Sequence, residues 1–223
     1  MPATGPLAAL VLDLDGVVAD TEPTAAAALA ETYAAAGVVL EGPELRGLAG
    51  LEFGRLEPLL RSRHAVAAGA QALRDEFDRR YLAKLRQGVD PSPGLVELLD
   101  DARAAGVRIG VASSTPLPGV ELVLAATGIL ARVDAVAAGS EVGRTKPAPD
   151  VYLLALRRLG VAAAGAVAVE DSATGVAAAR AAGLSCVGLR TASTAGHDLA
   201  GAALVVDSLR ELTLERLAAI AAA

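Results

Sequence analysis

Four short stretches of this chain place charged or hydroxylated side chains where an apolar run stops. Ala8 to Leu12 is followed by Asp13 and Asp15 in "DLDG". The apolar run at 165–169 is followed by Glu170 and Asp171 in "VEDSATG". The run at 107–113 ends on Ser113, in "VASST", and "GRTKPAPD" supplies Lys146 after a further run. An ionised carboxylate is costly to take out of water unless something compensates it, so acids at the ends of buried strands call for a partner. Two like charges 4 Å apart repel by about 4 kcal/mol at an effective dielectric near 20. If Asp13, Asp15, Glu170 and Asp171 gather at one place with Lys146 as their one ammonium, they must take up protons or share a cation. An all-oxygen ligand set without Cys or His suits Mg²⁺, which commonly sits between a few carboxylates and a phosphate. Lys146 and Ser113 add a point-charge phosphate binder and a hydroxyl donor. Backbone amides leaving the strands for loops or helix starts can face an anion as well. A carboxylate in such a pocket can attack phosphorus and form an acyl phosphate.

The elements that would bring these residues together are an alternation of strands and helices. Apolar runs at 8–12, 107–113, 133–138, 165–169, 185–189 and 202–206 read as strands. Helical patterns at 119–127, 149–160 and 174–183, and a last one from Ser208, join or follow them. Gly160 and Gly183 stand where two of these helices should stop. Strands this apolar, joined by helices of this length, predict an α/β fold: a doubly wound, Rossmann-like parallel sheet. In such a sheet ligands bind beyond the carboxyl ends of the strands, which would collect all six residues on one edge. The rhythm breaks after the first strand. "EPTAAAALAETYAAAG" reads as a helix with Thr21 as N-cap and Pro23 in its first turn, and residues 65–88 as a longer amphipathic helix. The expected division is a core of 1–18 and 88–223 and an inserted α-helical domain of 19–87, jointed near Ala19 and "GVDPSPG".

Composition sets outer limits. The chain has 223 residues, a net charge of −6 and 53% hydrophobic residues, which suits a well-packed core and offers no basic face for nucleic acid or an anionic membrane. Its one cysteine, Cys186, excludes an internal disulfide and reads as core packing. His64 and His197 read as surface or loop residues without zinc-ligand spacing. No basic stretch followed by an apolar run and a cleavage site opens the chain, and no apolar run reaches the roughly 18 residues of a membrane helix. A cytoplasmic protein is expected, monomeric or weakly dimeric, with a small phosphorylated metabolite as its partner.

"DLDGVVADTE", "VASST", "TKPAPD" and "VEDSATG" resemble, in order and spacing, the four motifs of the haloacid dehalogenase superfamily, and the resemblance spans essentially the whole chain. The nearest group looks like the phosphatases and phosphomutases with a small helical cap, such as β-phosphoglucomutase and phosphoglycolate phosphatase. The resemblance implies that Asp13 is the nucleophile and Asp15 the general acid and base, its carbonyl oxygen also binding Mg²⁺. It implies that Ser113 and Lys146 hold phosphoryl oxygens. Asp171 is then a direct metal ligand, with Glu170 binding the metal directly or through its water. Gly16 permits the turn that brings Asp15 over the site, and the helical segment is a lid.

The chain departs from the mutases at two places. Their histidine in the first cap helix is replaced by Ala25, and their second phosphate-gripping arginine by Gly50, whereas Arg46 and Gly47 are kept. The expected function is therefore a Mg²⁺-dependent phosphatase of a sugar or polyol phosphate, with Arg46 as a candidate substrate contact in the cap. A β-phosphoglucomutase-like phosphotransferase and a non-catalytic sugar-phosphate-binding module are the alternatives.

Overall fold

A computed structural model describes residues 7–48, 53–194, 196 and 198–222 of the chain. It divides into two compact units, residues 1–20 with 90–223, and residues 21–89. These joints lie two residues on from those expected at 18/19 and 87/88.

The first unit carries a six-stranded sheet: β1 (Ala9–Leu12), β2 (Arg108–Ser113), β3 (Ala135–Ala138), β4 (Ala166–Glu170), β5 (Ser185–Leu189) and β6 (Leu204–Val206). Every pairing is parallel and the spatial order is β3-β2-β1-β4-β5-β6. This is the doubly wound α/β architecture, whose strand order reverses at the β1/β4 boundary. There Leu12 pairs with Val111 on one side and Val169 on the other, so the residues after β1 and β4 emerge side by side.

One sheet face is built from small side chains. Ala9, Ala112, Ala135, Ala137, Ala166 and Ala168 pack in a single cluster with residues of two later helices, Asp150–Leu159 and Ala173–Ala181. Alanine at these positions lets helix backbones approach the sheet closely, which is how an alanine-rich chain still fills its interior. By strand alternation Leu10, Leu12, Val167 and Val169 point to the opposite face, all fully buried. Cys186 is buried in the alanine-lined cluster as a small apolar residue.

The second unit is helical: α1 (Glu22–Ala35), α2 (Gly42–Gly47), α3 (Phe53–Arg63) and α4 (Ala70–Leu85). It has its own apolar core of Leu29, Tyr33, Val38, Leu40, Leu48, Leu56, Leu60 and Leu73. Three details differ from the sequence expectation. Thr21 occupies the N-cap position of α1 in a helical conformation and makes no side-chain cap bond, so Glu22 and Pro23 in the first turn mark the start instead. The helix expected over 65–88 begins only at Ala70, because the carbonyls of Val66 and Ala68 accept from the Arg61 guanidinium at 2.9 and 2.8 Å. The helices α2 and α3 were not anticipated; Pro58 inside α3 masked it, since proline is costly within a helix. His64 is half-buried beside α3 with Nε2 3.0 Å from Glu44. His197 lies outside the described residues.

The remaining helices belong to the first unit: α5 (Leu95–Ala104), α6 (Leu117–Ala126), α7 (Asp150–Leu159), α8 (Ala173–Ala181) and α9 (Leu214–Ala221). α7 and α8 cover the alanine-lined face, while α5 and α9 pack on β2 and on β4 and β5 without sharing that cluster, which leaves them the other face. Gly160 and Gly183 follow α7 and α8 with φ of 69° and 83°, a left-handed conformation that stops each helix. No described helix is long and apolar enough to cross a membrane.

Candidate active site

The turn after β1 is short and closed by its own backbone. The Gly16 amide donates to Ala19 O at 2.8 Å and the Val18 amide to Leu14 O at 2.9 Å. Gly16 has φ of +86°, and a Cβ there would run into the Asp171 carboxylate. Glycine is required twice over at this point, for its backbone angle and for the close approach of an acid. β1 hands on to the turn beside β4, with the Asp13 amide donating to Val169 O at 2.9 Å. Asp13 and Glu170 thus leave neighbouring strands at the switch point of the sheet.

Asp13, Glu170 and Asp171 offer ligand oxygens that all lie within 4.8 Å of one another, and all three residues are buried. Glu170 is 0% exposed and Asp171 4%. The Lys146 ammonium bonds both Asp13 Oδ1 and Glu170 Oε1, the latter at 2.6 Å, with its side chain 7% exposed. Three buried carboxylates therefore face one ammonium, which leaves two negative charges to be met by protons or by a cation. The electrostatics follow. Burial pushes the Asp13 carboxyl well above its usual range, against the pull of Lys146 and with added repulsion from Glu170, Asp15 and Asp171. Burial and Glu170 push Asp171 up to about 7. Burial alone would lower the Lys146 ammonium, but Asp13 and Glu170 more than offset it and hold the group above its ordinary value. The set fits a hard divalent cation by its chemistry: clustered carboxylate oxygens, surplus negative charge and no soft ligand.

Ser113 ends β2 and is 1% exposed. Its Oγ accepts from the Thr115 amide at 3.0 Å, and Thr115 Oγ1 donates to Asp15 Oδ2 at 3.0 Å. Ser113 and Asp15 are thereby tied to one loop. The Asp15 carboxylate is not part of the three-acid group that lies within 4.8 Å; it is tethered toward the β2 side. Arg46 falls within α2 of the helical unit, and its side chain lies outside the described residues, as does Gly50.

Several contacting residues carried no isolated signal in the sequence. Thr115 sits two residues past Ser113. Thr191 Oγ1 donates to Asp171 Oδ2 at 3.5 Å and pairs with Thr194 Oγ1 at 2.6 Å. Both threonines follow the end of β5, so the strand-end rule that selected Ser113 could have found them. Tyr152 Oη donates to Glu170 Oε1 at 2.6 Å, and Ser172 Oγ to Glu170 Oε2 at 3.2 Å. Ser172 also caps α8, accepting from the Gly175 amide at 3.0 Å, and a Cβ on Gly175 would collide with the Glu170 carboxylate. Tyr152 reads in sequence only as one more residue on a helix face.

A model of the haloacid dehalogenase-like hydrolases matches residues 7–183. Protein CbbY of Cereibacter sphaeroides is 38% identical over 214 residues, 92% of this chain and 93% of that protein. The fructose-1-phosphate phosphatase YqaB of Escherichia coli (strain K12) is 32% identical over 184 residues, 82% of this chain and 96% of that one. Among solved structures, a mutant CbbY from Rhodobacter sphaeroides in complex with xylulose-(1,5)bisphosphate has a TM-score of 0.79 at 35% identity, covering 92% of this chain and 96% of that one. The family match takes in all four strand-end motifs, and the chain belongs to the haloacid dehalogenase-like hydrolases, as a phosphatase among them.

Proposed function

We propose that this protein is a Mg²⁺-dependent phosphatase that hydrolyses a small sugar or polyol phosphate through an aspartyl-phosphate intermediate. The observation that carries the reading is the buried group of Asp13, Glu170 and Asp171 around a single ammonium at the sheet's switch point. Two of its relatives are named for, or bound to, phosphorylated sugars: fructose-1-phosphate phosphatase and the CbbY complex with xylulose-(1,5)bisphosphate.

Asp13, Asp171 and the Asp15 carbonyl, with Glu170 directly or through water, are the residues assigned to the metal. When bound, Mg²⁺ supplies positive charge against the acids and the phosphoryl oxygens. Ser113 and Lys146 hold those oxygens. In the first half-reaction an Asp13 carboxylate oxygen bonds to phosphorus as the ester P–O bond breaks, and Asp15 gives its proton to the leaving alkoxide. In the second, Asp15 takes a proton from a water whose oxygen bonds to phosphorus. The acyl P–O bond breaks, and Asp13 and inorganic phosphate are released. Thr115 holds Asp15 on the β2 side for both transfers. The helical unit acts as a cap in this reading, and Arg46 is a substrate contact whose replacement by Ala should raise KM.

The test is phosphate release from a panel of sugar phosphates and p-nitrophenyl phosphate with Mg²⁺. Turnover of at least one sugar or polyol phosphate, absent in Asp13→Asn, is expected. No turnover above the Asp13→Asn background overturns the reading, and isomerisation of β-glucose 1-phosphate without phosphate release would replace it with a mutase.

A further inference from the structure

Tyr152 is the third residue of α7 and is fully buried, in a cluster otherwise built from alanine, valine, leucine and Cys186. Apolar packing accounts for its ring, but not for its hydroxyl, which a phenylalanine would lack at the same volume. That hydroxyl meets Glu170 Oε1 at 2.6 Å, the same oxygen that Lys146 Nζ reaches at 2.6 Å. The Lys146 ammonium also lies 5.1 Å from the centroid of the Tyr152 ring. One side chain therefore touches both ends of the Lys146–Glu170 pair.

The consequence is a division of charge. An oxygen that already accepts a short bond from a phenol attracts an ammonium less strongly. With Glu170 partly satisfied by Tyr152 on Oε1 and by Ser172 on Oε2, Lys146 keeps its second bond, to Asp13. The ring face gives the ammonium a favourable wall on a further side. We infer that Tyr152 is a positioning residue that holds the Lys146 ammonium between Glu170 and Asp13, and so sets how strongly Lys146 grips a phosphoryl oxygen. The inference rests on the function proposed above, in which Lys146 is a phosphoryl ligand.

Tyr152→Phe removes the hydroxyl and leaves the ring. Two quantities are measured at saturating Mg²⁺: the Kd of inorganic phosphate by calorimetry, and kcat and KM on the best ester of the panel. Phosphate should bind about tenfold more weakly and kcat/KM should fall about tenfold, the lower end for a hydrogen bond to a charged group. The unfolding midpoint should drop by only a few degrees. Leu156→Ala, a buried residue of the same helix, serves as the packing control: it should lower the midpoint at least as far and leave phosphate affinity in place. The inference is overturned if Tyr152→Phe keeps both quantities within twofold of the parent, or if Leu156→Ala weakens phosphate binding equally. If the parent turns over and Tyr152→Phe matches it, only the inference falls. A parent that neither turns over any ester nor binds phosphate overturns the proposed function and the inference together.

Discussion

Two groups of charges in this chain shift their acids in opposite directions. At the ends of β1 and β4, burial drives Asp13 and Asp171 upward despite the lysine beside them. Along α1 and α4 of the helical unit, hydrogen bonds hold the acids down: Lys84 acts on Glu31, and Arg79 and Arg80 on Glu76. The acids there keep access to water, with Glu31 47% and Glu76 29% exposed. The same residue types thus give opposite outcomes, and solvent access decides which. An exposed acid with a partner is comfortable and worth little; a buried acid among acids is a strained arrangement that persists because the surrounding fold can bear it. The second kind marks the chemistry.

Breaking the core group should therefore cost far more than breaking the exposed one. The largest effect is expected from Asp13→Asn, which should lower kcat on the order of 10⁴-fold or more while the protein stays folded, read by phosphate release and circular dichroism. Lys146→Ala comes next. It leaves Asp13 and Glu170 buried without their shared cation and should cost about 3 kcal/mol in denaturant unfolding without metal.

A pH titration sharpens the comparison. Asp171 titrates near 3.8 when unfolded and at about 7 in the folded chain. Between these values the folded chain holds a proton that the unfolded chain has lost. The stability due to this group is therefore greatest below about pH 4, falls as pH rises to about 7, and is level beyond. Asp171→Asn removes that dependence. In chelator, its unfolding free energy should gain on the parent's from pH 4 to pH 7, by at most about 4 kcal/mol. Parallel curves for the two proteins would contradict the burial account. The smallest effect belongs to the helical unit: Lys84→Ala, which breaks an exposed pair with Glu31, should leave the unfolding midpoint within about 2 °C of the parent's.

The same contrast explains what could be read from the chain beforehand. Strand positions were legible because apolar runs a few residues long, broken by polar strand ends, leave little choice in a parallel sheet. The acids at those ends were legible for the same reason, as residues at odds with their apolar neighbours. Their partners were not. Tyr152 agrees with the helix around it, and only three-dimensional placement shows its hydroxyl on Glu170. Thr115 is an ordinary loop residue until the strands bring it beside Asp15, whereas Thr191 and Thr194, just past β5, were within reach of the strand-end rule. Within the helical unit, Pro23 in the first turn signalled α1 and an amphipathic pattern signalled α4, whereas α2 and α3 were hidden by glycine and proline. The capture of two loop carbonyls by Arg61, which delays the start of α4, is a long-side-chain event that no local pattern encodes.

The central claim is that the buried acids are reconciled by a divalent cation, and calorimetric titration of the metal-free protein with Mg²⁺ at pH 8 tests it most directly. One saturable site is predicted in the parent, with its heat lost in Asp171→Asn. Absence of saturable binding in the parent, or equal binding in Asp171→Asn, would contradict the account.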